Sequence, residues 1–329
     1  MSPLLRVCLL ATPLTLMSGL HLRLKMMSFR KEREEYGTSW NTFESNMDEV
    51  QMINPEDYFQ TGEGGTALTY NHKDGKTLAK LFMPGFAADT AAREFRINRV
   101  VYDSGLPTPK PIRLITDGTR FGAEYELIPN KRSFTRIISE EPEQLVPLSE
   151  RFAHLARQIH KTPADTSRLP DMKELVLYWI ERSEHLPEAY KQRFRRFLEA
   201  VPSVPTCLHG DLHIGNIITD GKRDLWIDVG DFAYGVPEWD LSMMYYATNF
   251  MSPERADNIF HLDIPTLRAH WTAFAKAYWE TESEEELKAH VRKLYPFIAT
   301  KITFLVTKLG DGKAPLSEGM FRLIDNYLP

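Results

Sequence analysis

Short alternating apolar runs crowd the first third of the chain, and helical spacings dominate the remainder. Ala67-Leu-Thr-Tyr70 and Thr77-Leu-Ala-Lys-Leu-Phe82 keep the two-residue period of a strand, and the polar turn Asn71-His-Lys-Asp-Gly-Lys76 joins them. Thr61-Gly-Glu-Gly-Gly-Thr66 precedes the first run as a glycine-rich turn, with another strand ahead of it. Pro111-Ile-Arg-Leu-Ile115 and Phe121-Gly-Ala-Glu-Tyr-Glu-Leu-Ile128 form a second hairpin about Asp117-Gly118, and Pro129-Asn130 closes the series. Between the hairpins, 87–104 reads as a helix. Asp89 or Thr90 is its N-cap, Ala91, Phe95 and Val101 lie on an inward stripe, Gly105 sits at C′ and Pro107 is the stop. The pattern predicts a five-stranded antiparallel sheet with one helix.

Beyond residue 130 the apolar positions recur at i, i+3, i+4 and i+7. Ser149 is placed to cap a helix carrying Phe152, Leu155, Ala156 and Ile159, and His160 ends it in a structural role before Pro163. Helices are also expected over 175–184, 190–200, 241–249, 264–280 and 284–309, the last burying Leu294, Phe297, Ile298 and Phe304. One hairpin interrupts them, Ile217-Ile-Thr219 and Leu225-Trp-Ile227 about Asp220-Gly221.

Composition adds limits to this α+β outline. The 329 residues, 43% of them hydrophobic, suffice for one or two cores. A net charge of −5 and the lack of a recognised nucleic-acid motif argue against a nucleic-acid partner, so the basic face of 284–309 reads as solvated surface. Two cysteines, Cys8 and Cys207, exclude a disulfide framework and a cysteine zinc cluster. The first 47 residues differ in character, with no acidic residue before Glu32. Their apolar run 7–17 is broken by Pro13, and it falls short of the roughly 20 residues that span a bilayer. No small-x-small cleavage site follows, so 1–47 is expected to be a disordered extension, or to precede a true start at Met26, Met27 or Met47.

The chemistry concentrates in His209-Gly-Asp-Leu-His-Ile-Gly-Asn216 and, beyond the hairpin, Asp228-Val-Gly-Asp231. Asp211 can accept a proton from an attacking hydroxyl. Asn216 can hold a metal from the same loop, and the hairpin brings it beside Asp228, which can bind metals that bridge nucleotide phosphates. Upstream, Lys80 shares a strand face with Leu78 and Phe82, where a lysine needs an anionic partner. Phosphate oxygens and Glu94, on the border of the helix stripe, can supply one. Gly62, Gly64 and Gly65 let backbone N–H groups approach phosphates. Other readings stay open at this point. The glycines can be a plain tight turn, Glu94 can belong to a solvated face with Arg93, Arg96 and Arg99, and His209, Asp211 and His213 can alternate as the transition-metal site of a hydrolase. The hydrolase reading leaves Asn216 and Asp228 unexplained.

His-Gly-Asp-Leu-His-x-Gly-Asn followed by Ile-Asp-x-Gly-Asp resembles the aminoglycoside phosphotransferase and choline kinase family of small-molecule kinases. The resemblance implies a protein-kinase-like two-lobed fold, with 48–129 as a nucleotide-clamping N-lobe and 130–329 as a mostly helical C-lobe. It makes Asp211 the catalytic base, Asn216 and Asp228 the Mg2+ ligands, His209 a structural residue, and Asp240 the brace of the loop. It pairs Lys80, on the ATP phosphates, with Glu94, and makes Glu126-Leu127-Ile128 the hinge against adenine. The implied protein is cytoplasmic and uses ATP, Mg2+ and a small-molecule hydroxyl acceptor, with no nucleic-acid or membrane partner. Only eleven residues, 229–239, separate Asp228 from Asp240, and Gly210 stands where protein kinases carry arginine. Both departures favour a small acceptor such as an aminoglycoside, a choline-like amino alcohol or a sugar. Asp231, Tyr234, Glu238 and Trp239 are candidate acceptor contacts, although they can equally pack beneath the loop. A nucleotide-binding pseudokinase acting as a scaffold is the reading from a different class.

Overall fold

Residues 50–63 and 66–328 are described by the computed structural model; the expectations for 1–47, and those for Gly64 and Gly65, lie outside the described residues. Six strands form the N-terminal sheet: β1 (Gln51–Met52), β2 (Tyr58–Glu63), β3 (Ala67–His72), β4 (Thr77–Phe82), β5 (Pro111–Thr116) and β6 (Phe121–Glu126). Their order is β1-β5-β6-β4-β3-β2. The five expected strands pair antiparallel, and β1 joins the edge parallel to β5, with Gln51 opposite Ile115. This sixth strand is two exposed residues long, too short for any alternation to mark it.

The alternation sorts the two faces of the sheet. Phe82, Leu114, Ala123 and Tyr125 pack with Ala91 and Phe95 of helix α1 (Ala88–Asp103), whereas Ala79, Leu81, Ile115 and Ile53 lie on the other face. Lys80 therefore points toward α1, in register with Ala123 of β6. On the opposite face the buried Glu124 accepts hydrogen bonds from Tyr58 (2.7 Å), Thr77 (2.7 Å) and Arg113 (2.6 Å), which tie β2, β4 and β5 to β6. The N-cap lies before both cap candidates, Asp89 and Thr90. Ala87 is the N-cap and offers no side-chain bond, while Asp89 lies in the first turn, where its charge suits the helix dipole.

The rest of the chain is helical around short strands. β7 (Arg132–Ser133) leads into α2 (Phe134–Glu140) and α3 (Leu145–Lys161). Phe152, Leu155, Ala156 and Ile159 are buried as their spacing predicts. Ser149 is not the cap: it lies inside α3, donates to Leu145 O (2.6 Å) and meets His270 Nδ1 at 2.8 Å. Next come α4 (Met172–Arg182), α5 (Glu188–Ala200), β8 (Cys207–Leu208), the hairpin β9 (Ile217–Thr219) and β10 (Asp224–Trp226), and β11 (Ala233–Tyr234), paired with β8. The chain ends in α6 (Glu238–Phe250), α7 (Pro253–Phe260), α8 (Ile264–Trp279), α9 (Glu284–Leu309) and α10 (Glu318–Tyr327). The short helices α2, α7 and α10 escape the periodicity because two or three turns carry too few apolar repeats. In α9, Leu294, Phe297, Ile298 and Phe304 are buried as expected, and so is Lys301. One apolar cluster runs from Ile97, Val100 and Val101 of α1 through Phe152, Trp226 and Phe232 to Leu241 and Phe274, joining α1 to the C-terminal helices. Among the described residues no helix is long and apolar enough to cross a membrane.

Candidate active site

The loop after β8 is held by its backbone. Asp240, in the first turn of α6, accepts from the His209 N–H (2.7 Å) and the Gly210 N–H (2.9 Å) and also meets His160 Nε2 at 3.1 Å. Burial opposes the charge on Asp240, but the His160 hydrogen bond and the neighbouring His209 and Lys301 outweigh it and keep the carboxyl below its usual pKa. His160 is itself anchored by Tyr278 (2.7 Å), in keeping with a structural role. Gly210 turns at φ +83°, and a Cβ there would run into the carbonyl oxygen of Asp231, so the arginine of protein kinases has no room.

His209 is wholly buried, its ring 5.1 Å from Trp226 and 5.2 Å from Phe232. Burial pulls its pKa down, and neither ring nitrogen has a hydrogen-bond partner among the described residues. Asp211, by contrast, exposes its carboxylate, with His213 Nε2 at 3.7 Å. His213 packs edge-on against Phe260, 5.2 Å away. His209 thus parts from Asp211 and His213, because the positive-φ turn at Gly210 breaks the extended backbone that would have aligned all three. Among the described residues no group of three or more His, Cys, Asp or Glu side chains could hold a metal.

Asn216 donates its side-chain N–H to the Asp211 carbonyl (2.9 Å), which leaves its amide oxygen as the atom able to meet a cation. Ile227 N–H donates to Asn216 O (3.0 Å), so the hairpin ends bring Asn216 beside Asp228. Asp228 is held at φ 57°, ψ 41° with its carboxylate exposed. Lys80 crosses to both carboxylates, 2.9 Å from Glu94 and 3.0 Å from Asp228. Burial disfavours its charge, but these two anions prevail and hold the ammonium well above the usual lysine pKa. Gly230 makes the approach of α1 possible, since a Cβ there would stand 2.9 Å from Glu94 Cγ. Tyr125, opposite Leu78 on β6, faces the same group; burial, Glu94 and Asp228 push its hydroxyl far above the ordinary range. Nothing in the alternation of β6 marks it as more than core.

The expected hinge is partly committed elsewhere. Glu126 N–H donates to Lys110 O and Leu127 N–H to Lys76 O, both at 2.9 Å, and the Glu126 carboxylate meets Arg223 at 3.2 Å. Ile128 is buried with Ile218 and Leu225. Gly62 sits at a bulge in β2, against Thr69. Of the four acceptor candidates, Trp239 is buried against Phe297 (4.9 Å), and Tyr234 pairs with Cys207 in the β11–β8 ladder. Glu238 opens α6, and Asp231 lies 3.6 Å from Lys308 with its carboxylate half exposed. Lys301 carries no signal in the sequence: its ammonium is 3.3 Å from Gly210 O and 3.4 Å from Met172 Sδ.

Comparison with known proteins fits this geometry. The family model described as "Phosphotransferase enzyme family" matches residues 60–283. No curated protein matches the chain. Among solved structures, a Plasmodium vivax ethanolamine kinase is 15% identical with a TM-score of 0.52, over 84% of this chain and 85% of its own. An amicoumacin kinase in complex with AMP-PNP and Ca2+ is 14% identical with a TM-score of 0.50, over 92% and 94%. A ternary complex of streptomycin, ATP and the phosphotransferase APH(2")-IIa is 15% identical with a TM-score of 0.50, over 84% and 97%. These likenesses carry the fold, which is two-lobed and kinase-like.

Proposed function

The chain belongs to the phosphotransferase enzyme family, and from that premise we propose that it moves the γ-phosphate of ATP to a hydroxyl of a small molecule, with Asp211 as the catalytic base. One observation carries the reading: Lys80 of the sheet meets both Glu94 of α1 and Asp228 beyond the hairpin, so phosphate-binding and metal-binding groups share one cleft. ATP enters between sheet and helices, where Lys80, steadied by Glu94, binds its α- and β-phosphate oxygens. The Asn216 amide oxygen and the Asp228 carboxylate would hold Mg2+, an oxygen donor set with few protein ligands that suits a cation shared with phosphates. When bound, the metal neutralises charge on the β- and γ-phosphates. Asp211 orients the acceptor hydroxyl and takes its proton as the new O–P bond forms, while the bond to the β–γ bridging oxygen breaks and ADP departs. The acceptor is an aminoglycoside, an amino alcohol or a sugar, and the enzyme acts in the cytoplasm. A panel of these compounds with magnesium and ATP tests the reading. Acceptor-dependent ADP release is expected; turnover of none of them, with no nucleotide bound, would exclude it.

A further inference from the structure

Lys301 is 2% exposed, the most deeply buried lysine among the described residues. It rises from α9, where Lys288 and Lys293 are exposed, and it is costly to keep there: a charged ammonium loses its hydration and must recover it from protein dipoles. The contacts it makes are few for a group with three donors. One is the carbonyl of Gly210 at 3.3 Å, one is the weakly accepting Met172 sulfur at 3.4 Å, and the Phe304 ring lies 5.5 Å away. A lysine serving only to fill space would be outdone by methionine or leucine.

The position of the Gly210 carbonyl gives the charge a purpose. That carbonyl belongs to the peptide bond that leads into Asp211. The peptide bonds on the other side of Gly210 are gripped by Asp240, which accepts the N–H groups of His209 and Gly210. An anion from α6 therefore takes the N–H side of this turn, and a cation from α9 takes its C=O side. Between them Gly210 is held at φ +83°, a conformation that sets the direction in which the next residue leaves the chain. Burial, with Lys308 beside it, lowers the Lys301 pKa from the ordinary lysine value, and Asp240, Asp231 and Asp211 are the negative groups that oppose this. Asp211 itself lies at the exposed end of the turn, with its carboxylate unsupported by any direct hydrogen bond from Lys301. Its aim depends on the backbone behind it.

We propose that Lys301 is a positioning residue for phosphoryl transfer, clamping the Gly210–Asp211 peptide from the side opposite Asp240 so that the Asp211 carboxylate meets the acceptor hydroxyl in line. The proposal rests on Asp211 being the base. Lys301→Met keeps the length and packing of the side chain and removes the clamp. Its γ-phosphate release from magnesium-ATP to water is expected to fall on the order of 10- to 100-fold in kcat, because a misplacement of about 1 Å costs roughly that much. Its KM for magnesium-ATP and its unfolding midpoint are expected to hold, and amide exchange across 209–212 should quicken. In an Asp211→Asn background the same substitution should cost nothing further, since the effect acts through Asp211. Unchanged kcat in Lys301→Met, beside a large loss in Asp211→Asn, would overturn the clamp and leave the base intact. Wild-type turnover in Asp211→Asn would instead remove the base. A lower unfolding midpoint with unaltered kcat and loop exchange would reduce Lys301 to a structural residue.

Discussion

At Asp211 and its neighbours, the chemistry depends on groups of opposite accessibility placed side by side. Asp211 and Asp228 expose their carboxylates, whereas His209, Asn216 and Asp240 are buried beneath them. The buried set fixes the backbone and the exposed set is left to meet ligands. Asp211→Asn preserves shape but cannot take a proton, so it is expected to lower transfer by at least the roughly 10²-fold typical of a lost general base. Magnesium-ATP affinity, measured by fluorescence titration, should stay nearly intact. Turnover at the wild-type rate would exclude the assignment. Most of this set was legible from spacing, because Asp211, Asn216 and Asp228 fall on one loop and one hairpin. Lys301 was not. A lysine in a long helix with many charged positions reads as solvated until neighbouring helices decide which face they cover.

Elements meet here through side chains that local pattern cannot pair. Ser149 reads as a helix cap, but α3 starts before it and turns the hydroxyl inward to His270 of α8. Burial pushes the His270 pKa down to about 3, against about 6.5 when unfolded. The folded ring is neutral while the unfolded chain takes up a proton as the pH falls below about 6.5. Stability is therefore full above that pH and drains away down to about pH 3, by roughly 1.4 kcal/mol per pH unit. Unfolding midpoints measured from pH 7 to pH 4 should fall steeply in the wild type and less so in His270→Phe. His209, lowered in the same direction, keeps part of the slope in the variant. Equal slopes would show that His270 carries none of the effect.

Across the whole molecule, α1 shares one apolar cluster with the C-terminal helices, and the Lys80–Asp228 contact ties the sheet to the same part of the chain. A ligand bound between them adds to that joint. Magnesium-ATP at about 100 times its Kd should stabilise the fold by roughly 2.7 kcal/mol, a rise of several degrees in the unfolding midpoint. Removing the metal with EDTA should abolish most of the rise. In Asp228→Asn the rise should shrink even with metal present, since the cation loses its carboxylate; an undiminished shift would count against Asp228 as a ligand. The division into an N-lobe over 48–129 and a C-lobe over 130–329 is proposed on the same basis, with the nucleotide at the boundary.

Alternation, helical spacing and turn residues predicted the five antiparallel strands, the α1 helix and the hairpin about Asp220-Gly221, and with the family resemblance they marked Lys80, Glu94, Asp211, Asn216 and Asp228 as candidates. Those signals are local, or join residues through one turn. Tertiary structure decided the parallel edge strand, the hinge amides taken by Lys76 and Lys110, the buried Tyr125 and the Lys301 contact at Gly210. Each of these depends on a partner brought in from a distant element, and burial itself is created only when those elements pack.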